Sequence, residues 1–134
     1  MVSGAAKEKA IAYIRVSTFR QAEEGNSVAS QLKRIREYAR FRDLSLTKRD
    51  VIVEEGVSGG IPLFDRRGGQ RMLDMIETGS YSHVISAKLD RMFGMTTDTI
   101  HSLEHLDSLD VAIHFVDFGG QTVDTSTSTG TFVI

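Results

Sequence analysis

Apolar residues follow two rhythms along this chain: short, nearly unbroken runs, and stretches where they return every three or four positions. The first run, Ala10-Ile-Ala-Tyr-Ile-Arg-Val16, is β-branched, aromatic or small with no breaker. It predicts a strand covered on both faces, as in a parallel sheet. A polar loop over 18–25 follows, after which Asn26 or Ser27 caps a predicted helix running to about Arg42. Val28, Leu32, Ile35 and Ala39 fall on its inner face, and Lys33, Arg34, Arg36 and Glu37 on its outer face. Residues 50–55 predict a second strand. The glycine-rich stretch 56–69, with the chain's one proline, predicts a mobile loop ahead of a helix carrying Met72, Leu73 and Ile76. A third strand is predicted over 81–87. The next helix runs from about Thr97 to Leu109 with Ile100, Leu103 and Leu106 inward, followed by a fourth strand over 111–117 and a short fifth over 121–123.

Strand and helix alternate without repeats or low-complexity linkers, the pattern of a single α/β domain. The last ten residues depart from it. Residues 125–134 read as a polar turn and the first turn of a helix that is not completed, so the sequence is expected to be a fragment of a longer protein.

Composition narrows the function classes. With 134 residues, 40% of them hydrophobic and 25% charged, the chain is long enough for one core and ordinary for a soluble globular domain. There is no cysteine, which excludes a disulfide framework, a thiol nucleophile and cysteine-ligated zinc and fits a reducing, cytoplasmic setting. Apolar runs are strand length and the amino terminus is not signal-like, so neither export nor membrane insertion is expected. The formal net charge of −2 is too acidic for a self-sufficient nucleic-acid binder. If the substrate is DNA, another segment must hold it.

The candidate chemistry sits where strands end, the place where open α/β sheets gather their ligands. The first strand delivers Arg15 and Ser17, and the third ends in Lys88-Leu-Asp-Arg91. The glycine-rich loop can bring Ser58, Arg66 and Arg67 over the same edge. An arginine near the end of a buried strand costs free energy unless it meets an anion or reaches solvent. A hydroxyl among guanidiniums suits phosphoryl transfer better than acyl transfer, because the guanidinium fork matches a phosphate and keeps its charge. No histidine neighbours Ser17 in sequence and there is no nucleophile elbow, which disfavours a Ser-His-Asp hydrolase. His101 and His105 stand four apart on one helix face, but without a third ligand or a His-Glu-x-x-His pattern no metal site is expected. Phe115 and Phe118 read as packing residues.

These residues also carry a resemblance. Tyr13-Ile-Arg-Val-Ser-Thr-Phe-Arg-Gln21 resembles the Tyr-x-Arg-Val-Ser-Thr-x-x-Gln signature of the serine recombinases, the family of resolvases, invertases and large phage-type integrases. Ser58-Gly59, Asp65-Arg66, Lys88-Leu-Asp-Arg91 and Asp124-Thr-Ser-Thr-Ser-Thr-Gly130 resemble the family's later blocks in the same order, so the likeness spans 10–134. The longer loops are more similar to large integrases and transposon recombinases than to small resolvases.

The resemblance implies a three-layer α/β/α fold around a mixed five-stranded sheet, order 2-1-3-4-5 with the last strand antiparallel. It implies that Ser17 attacks a DNA phosphate to leave a 5′-phosphoserine linkage and a free 3′-hydroxyl. Arg15, Arg66 and Arg91 would contact that phosphate, Gln21 and Ser58 would assist, and Asp90 would orient an arginine or shuttle a proton, with no metal or other cofactor. The expected partners are double-stranded DNA recombination sites, bound through a further carboxyl-terminal region. A homodimer and a synaptic tetramer are expected of the full-length protein, and a monomer or weak associate of residues 1–134.

Two positions depart from the family pattern. The arginine that the family places three residues after the Asp-Arg pair is Gly94 here, and the proline that often follows the loop arginine is Arg67. The run 66–73 aligns Arg66, rather than Arg67, with the family's loop arginine. Gly94 also opens an alternative, a catalytically impaired domain kept as a dimerisation or DNA-complex scaffold.

Overall fold

The computed structural model describes residues 7–16, 27–57, 60–87, 96–118 and 121–124. The elements are β1 (Lys9–Val16), α1 (Val28–Phe41), β2 (Val51–Glu55), α2 (Arg67–Glu77), β3 (Tyr81–Ser86), α3 (Thr96–Ser108), β4 (Ala112–Phe118) and β5 (Gln121–Asp124). Strands β2, β1, β3 and β4 lie side by side in that order and all parallel, and β5 adds antiparallel to the outer edge of β4. This is a mixed α/β sheet with helices on both faces.

β1 is an interior strand, flanked by β2 and β3, and both of its faces are covered. Ala10 to Ile14 have no solvent exposure, and successive side chains alternate between two cores. Ile11 and Tyr13 join Ile52, Leu63, Met72, Ile76, Val84 and Phe115 under α2 and α3. Ala10, Ala12 and Ile14 pack with Ile35, Tyr38, Ala39 and Ile85 under α1. The small side chains at 10 and 12 share this cluster with the Tyr38 ring.

Helix α1 starts where Ser27 accepts a hydrogen bond from the Ser30 amide at 3.0 Å, a side-chain N-cap. Its apolar face holds Ile35 and Ala39 buried, with Val28 and Leu32 packed at the margin. Behind it runs a chain of polar groups. Arg42 Nη1 donates to Tyr38 Oη at 2.7 Å, Tyr38 Oη meets His114 Nδ1 at 2.6 Å, His114 Nε2 meets His83 Nδ1 at 2.9 Å, and His83 Nε2 meets Glu8 Oε1 at 2.8 Å. With both imidazoles in the Nε2–H tautomer, each bond in the chain from Arg42 to Glu8 has one donor and one acceptor.

Three sequence expectations are corrected. Asp50 closes a 3₁₀ turn, Lys48–Asp50, instead of opening β2, because its carboxylate takes the Thr47 amide at 3.0 Å and the Thr47 hydroxyl at 2.8 Å. The loop expected through 69 ends earlier: Gly68 and Gly69 form the buried first turn of α2. Their lack of a side chain serves close approach rather than mobility. A Cβ at Gly68 would lie 2.5 Å from Glu54 Cδ, and one at Gly69 would lie 1.8 Å from the Leu63 carbonyl oxygen.

The third correction concerns α3. Ile100, expected inward, is 46% exposed. The inner stripe is Thr99, Ser102 and Leu106, and Ile100 lies about 120° around the helix from Leu106. The amino-terminal half of α3 is anchored by polar contacts instead. Asp98 Oδ2 accepts the Leu63 amide at 3.1 Å and Oδ1 accepts the Ser102 hydroxyl at 3.1 Å.

Candidate active site

At the carboxyl ends of β1 and β2, Arg15 pairs in register with Glu54, and Val16 with Glu55. Strand alternation puts Tyr13 and Arg15 on the face of β1 that looks toward α2, and the same alternation puts Ile52 and Glu54 on that face of β2. Arg15 is 5% exposed, and its Nη1 donates to the Val57 carbonyl at 2.8 Å, just past the end of β2. Its own carbonyl accepts from Gln31 Nε2 of α1 at 3.3 Å. The arginine is thus fixed from both layers.

Arg66 enters the same place from the other side. It occupies the N-cap position of α2 and is 2% exposed. Nε donates to the Ile61 carbonyl at 2.8 Å and Nη1 donates to Tyr13 Oη at 2.9 Å. The Tyr13 hydroxyl donates in turn to Glu54 Oε2, and Glu54 Oε1 accepts the Gly68 amide at 2.8 Å. One carboxylate therefore binds the amino-terminal turn of α2, where the helix dipole favours negative charge, and binds the tyrosine that orients Arg66. Burial first, and the Glu54 carboxylate second, push the Tyr13 hydroxyl well above its ordinary pKa, so it stays protonated. It can accept from Arg66 and donate to Glu54 at once. A guanidinium and a carboxylate can both be buried here because each is hydrogen bonded through a neutral bridge.

The 3₁₀ turn Leu63–Asp65 sets the position of Arg66, whose amide closes it on the Leu63 carbonyl at 3.2 Å. The Leu63 amide is held by Asp98, so the turn is tied to α3 as well as to α2. Arg67, by contrast, is exposed. Of the two arginines left as alternatives by the sequence, Arg66 is the one built into the interior.

The expected site residues divide accordingly. Arg15 and Arg66 come to the α2 side of the β1–β2 carboxyl edge, each bonded to chain that leads into or out of the 56–66 connection. Ser17, Gln21, Ser58, Asp90, Arg91 and Gly94 lie outside the described residues. Sequence reasoning missed Glu54 and Asp98 altogether, and read Tyr13 only as part of a motif. Glu54 had a signal: it falls on the inward phase of Val-Ile-Val-Glu-Glu, two residues after Ile52, where a carboxylate needs a buried partner. Asp98 had a weaker one, an acid in the first turn of a helix, where capping is the ordinary role.

His105, half of the candidate histidine pair, packs edge-on against Phe64 with ring centroids 5.4 Å apart. Among the described residues there is no cluster of three or more metal-ligating side chains and no helix long and apolar enough to cross a membrane.

A family model described as the resolvase N-terminal domain matches residues 10–134. The chain belongs to the resolvase family of serine recombinases. This serine recombinase domain is 32% identical over 122 residues to the transposon Tn2501 resolvase of Escherichia coli, covering 91% of the chain and 56% of that protein. It is 30% identical over 119 residues to the serine recombinase PinR of Escherichia coli K12, covering 89% of the chain and 54% of that protein. The domain spans about half the length of the curated relatives it matches. Among solved structures, it is similar to the N-terminal catalytic domain of TP901-1 integrase, with a TM-score of 0.79 and 29% identity over 91% of this chain and 85% of that one. It is also similar to a resolvase family site-specific recombinase from Streptococcus pneumoniae, with a TM-score of 0.72 and 28% identity over 91% and 78% of the two chains.

Proposed function

We propose that this domain is the catalytic part of a site-specific DNA recombinase that cuts and rejoins DNA through Ser17. The observation that carries the reading is the placement of two buried arginines, Arg15 and Arg66, at the carboxyl edge of the strand that Ser17 directly follows, in a chain of the resolvase family.

In the proposed step Ser17 Oγ loses its proton and attacks a backbone phosphorus. A serine–phosphate ester forms at the 5′ side, the P–O3′ bond breaks, and the departing 3′-oxygen takes up a proton. Rejoining is the reverse attack by a 3′-hydroxyl, which releases Ser17. The ester conserves the bond energy, so no external energy source is required. Arg15, Arg66 and Arg91 contact the phosphate and stabilise charge on its equatorial oxygens. Gln21 and Ser58 assist in placing it, and Asp90 orients an arginine or carries a proton.

Tyr13 and Glu54 act on Arg66 as positioning residues. Their bonds fix the guanidinium before substrate arrives, which lowers the reorganisation needed at the transition state. The DNA partner would be a double-stranded recombination site held by a further region of the protein, with a dimer and a synaptic tetramer as working assemblies. The test is covalent trapping on DNA nicked so that religation fails. Protein joined to a 5′ end supports the reading, and cleavage without such an adduct contradicts it.

A further inference from the structure

The net charge of −2 conceals a strong segregation. Five cations and one carboxylate fall within residues 33–42, and Lys33, Arg36 and Arg40 are exposed on the outer side of α1. Neither the Arg36 nor the Arg40 guanidinium makes a hydrogen bond or ion pair among the described residues. Two depressions share this pair. One, of 310 Å³, lies between the carboxyl-terminal half of α1 and the segment 44–47, with Ala39, Leu44 and Leu46 as its apolar part and Lys7, Arg36 and Arg40 on its rim. The other, of 440 Å³, runs up α1 over Ala29 and Leu32, between Lys33 and the same arginines.

Helix geometry explains the shape. Residues 29, 33, 37 and 41 form one row four residues apart, and 32, 36 and 40 form the next, so a furrow runs between them. From Ala29 to Arg40 it extends about 16 Å, the reach of about five residues of extended peptide.

We propose that the outer face of α1 and the adjoining 44–47 groove bind an acidic, partly apolar segment of a partner protein, with Arg36 and Arg40 gripping its carboxylates and Leu32, Leu44 and Leu46 covering its apolar side chains. Planar guanidinium forks suit carboxylates in this role. Duplex DNA fits less well. Its charged backbone offers little apolar surface to cover the groove floor of Ala39, Leu44 and Leu46. The 44–47 part of the groove lies at the amino-terminal edge of the sheet, where Ser45 bridges to Lys9, whereas the Ala29 end of the furrow is on the turn of α1 that reaches the Arg15 carbonyl through Gln31. A partner seated in the 44–47 part leaves the catalytic edge open.

The probe is a short synthetic peptide of alternating glutamate and leucine, titrated into the isotope-labelled chain and followed by amide chemical shifts and fluorescence anisotropy. Expected are shifts confined to α1 and residues 44–47, binding that weakens with salt, and a loss of about tenfold or more in affinity for the double variant Arg36→Glu/Arg40→Glu. Both positions are exposed, and an unchanged circular dichroism spectrum verifies folding. The proposal is overturned if a glutamate–serine peptide binds equally well, if shifts fall elsewhere, or if the double variant binds as tightly as the parent. It is also overturned, in favour of a phosphate surface, if a duplex oligonucleotide binds this face more tightly than the peptide.

Discussion

Replacing Tyr13 by Phe removes one oxygen from the centre of the Arg66–Glu54 bridge and nothing else. That oxygen accepts from Arg66 Nη1 at 2.9 Å and donates to Glu54 Oε2, and Tyr13 has no solvent exposure. Two hydrogen bonds to charged groups are lost where water cannot easily replace them. Bonds of this kind contribute roughly 1.5–3 kcal/mol each. Partial re-pairing of Arg66 with Glu54 offsets some of that, so we expect Tyr13→Phe to cost about 2–4 kcal/mol, a large share of the ~5–15 kcal/mol of a typical domain. In urea the midpoint should fall by about 1–2 M with an unchanged slope. A double-mutant cycle with Glu54→Gln should return a coupling of about 1–3 kcal/mol, because both variants break the same bridge. A loss under about 0.5 kcal/mol, or strict additivity in the cycle, would refute the view that the hydroxyl holds these charges together. In the full-length recombinase the same variant, kept below its unfolding temperature, should also slow DNA cleavage by loosening Arg66.

Gly69→Ala places a methyl 1.8 Å from the Leu63 carbonyl oxygen, so the turn carrying Arg66 must move; we expect at least ~2 kcal/mol of destabilisation, read by thermal unfolding, and wild-type stability would contradict the packing described. At Asp50, burial opposes ionisation, but hydrogen bonds from the Tyr81 hydroxyl at 2.5 Å and from Thr47 hold its carboxyl below the ordinary range. A depressed folded-state pKa gives stability that is present above the ordinary value and lost as pH falls through the folded value. Asp50→Asn should therefore flatten stability against pH below about pH 4, and an unchanged acid limb would count against the cap. Tyr81, pushed up to about 12 by burial and by Asp50, should stay protonated in an ultraviolet titration to pH 10. Gly94→Arg in the full-length protein restores the donor that the family places there, and single-turnover cleavage should rise on the order of 10²–10³-fold. Equal rates would mean that another cation already serves.

The alternation of strands and helices was legible because parallel strands and amphipathic helices leave different periods, and β1 is so apolar that no other reading competed. The order of the strands was not, since periodicity carries no information about neighbours. It came only through the resemblance. Local misreadings share a cause: Gly68 and Gly69 look like loop residues until Glu54 and the Leu63 carbonyl are seen pressed against them, and Ile100 looks inward until Asp98 and Ser102 are seen holding that end of α3. Arg15 was identifiable as a candidate because charge near the end of a buried strand calls for an anion or solvent, and Arg66 because the glycine-rich loop can bring it to the same edge and the resemblance aligns it with the family's loop arginine. What fixes them, the Tyr13–Glu54 pair, spans 41 residues of chain, a distance at which a single sequence shows no pairing.

The nucleophile is the claim on which the rest depends. Full-length protein and its Ser17→Ala variant should be incubated with nicked recombination-site DNA labelled on alternate strands, denatured, and resolved for covalent complexes. The account predicts protein attached to the 5′ end in the parent, a phosphoserine at residue 17 by mass spectrometry of the digested adduct, and no adduct in the variant, which still binds DNA. An adduct that persists in Ser17→Ala, or one joined to the 3′ end, would contradict it.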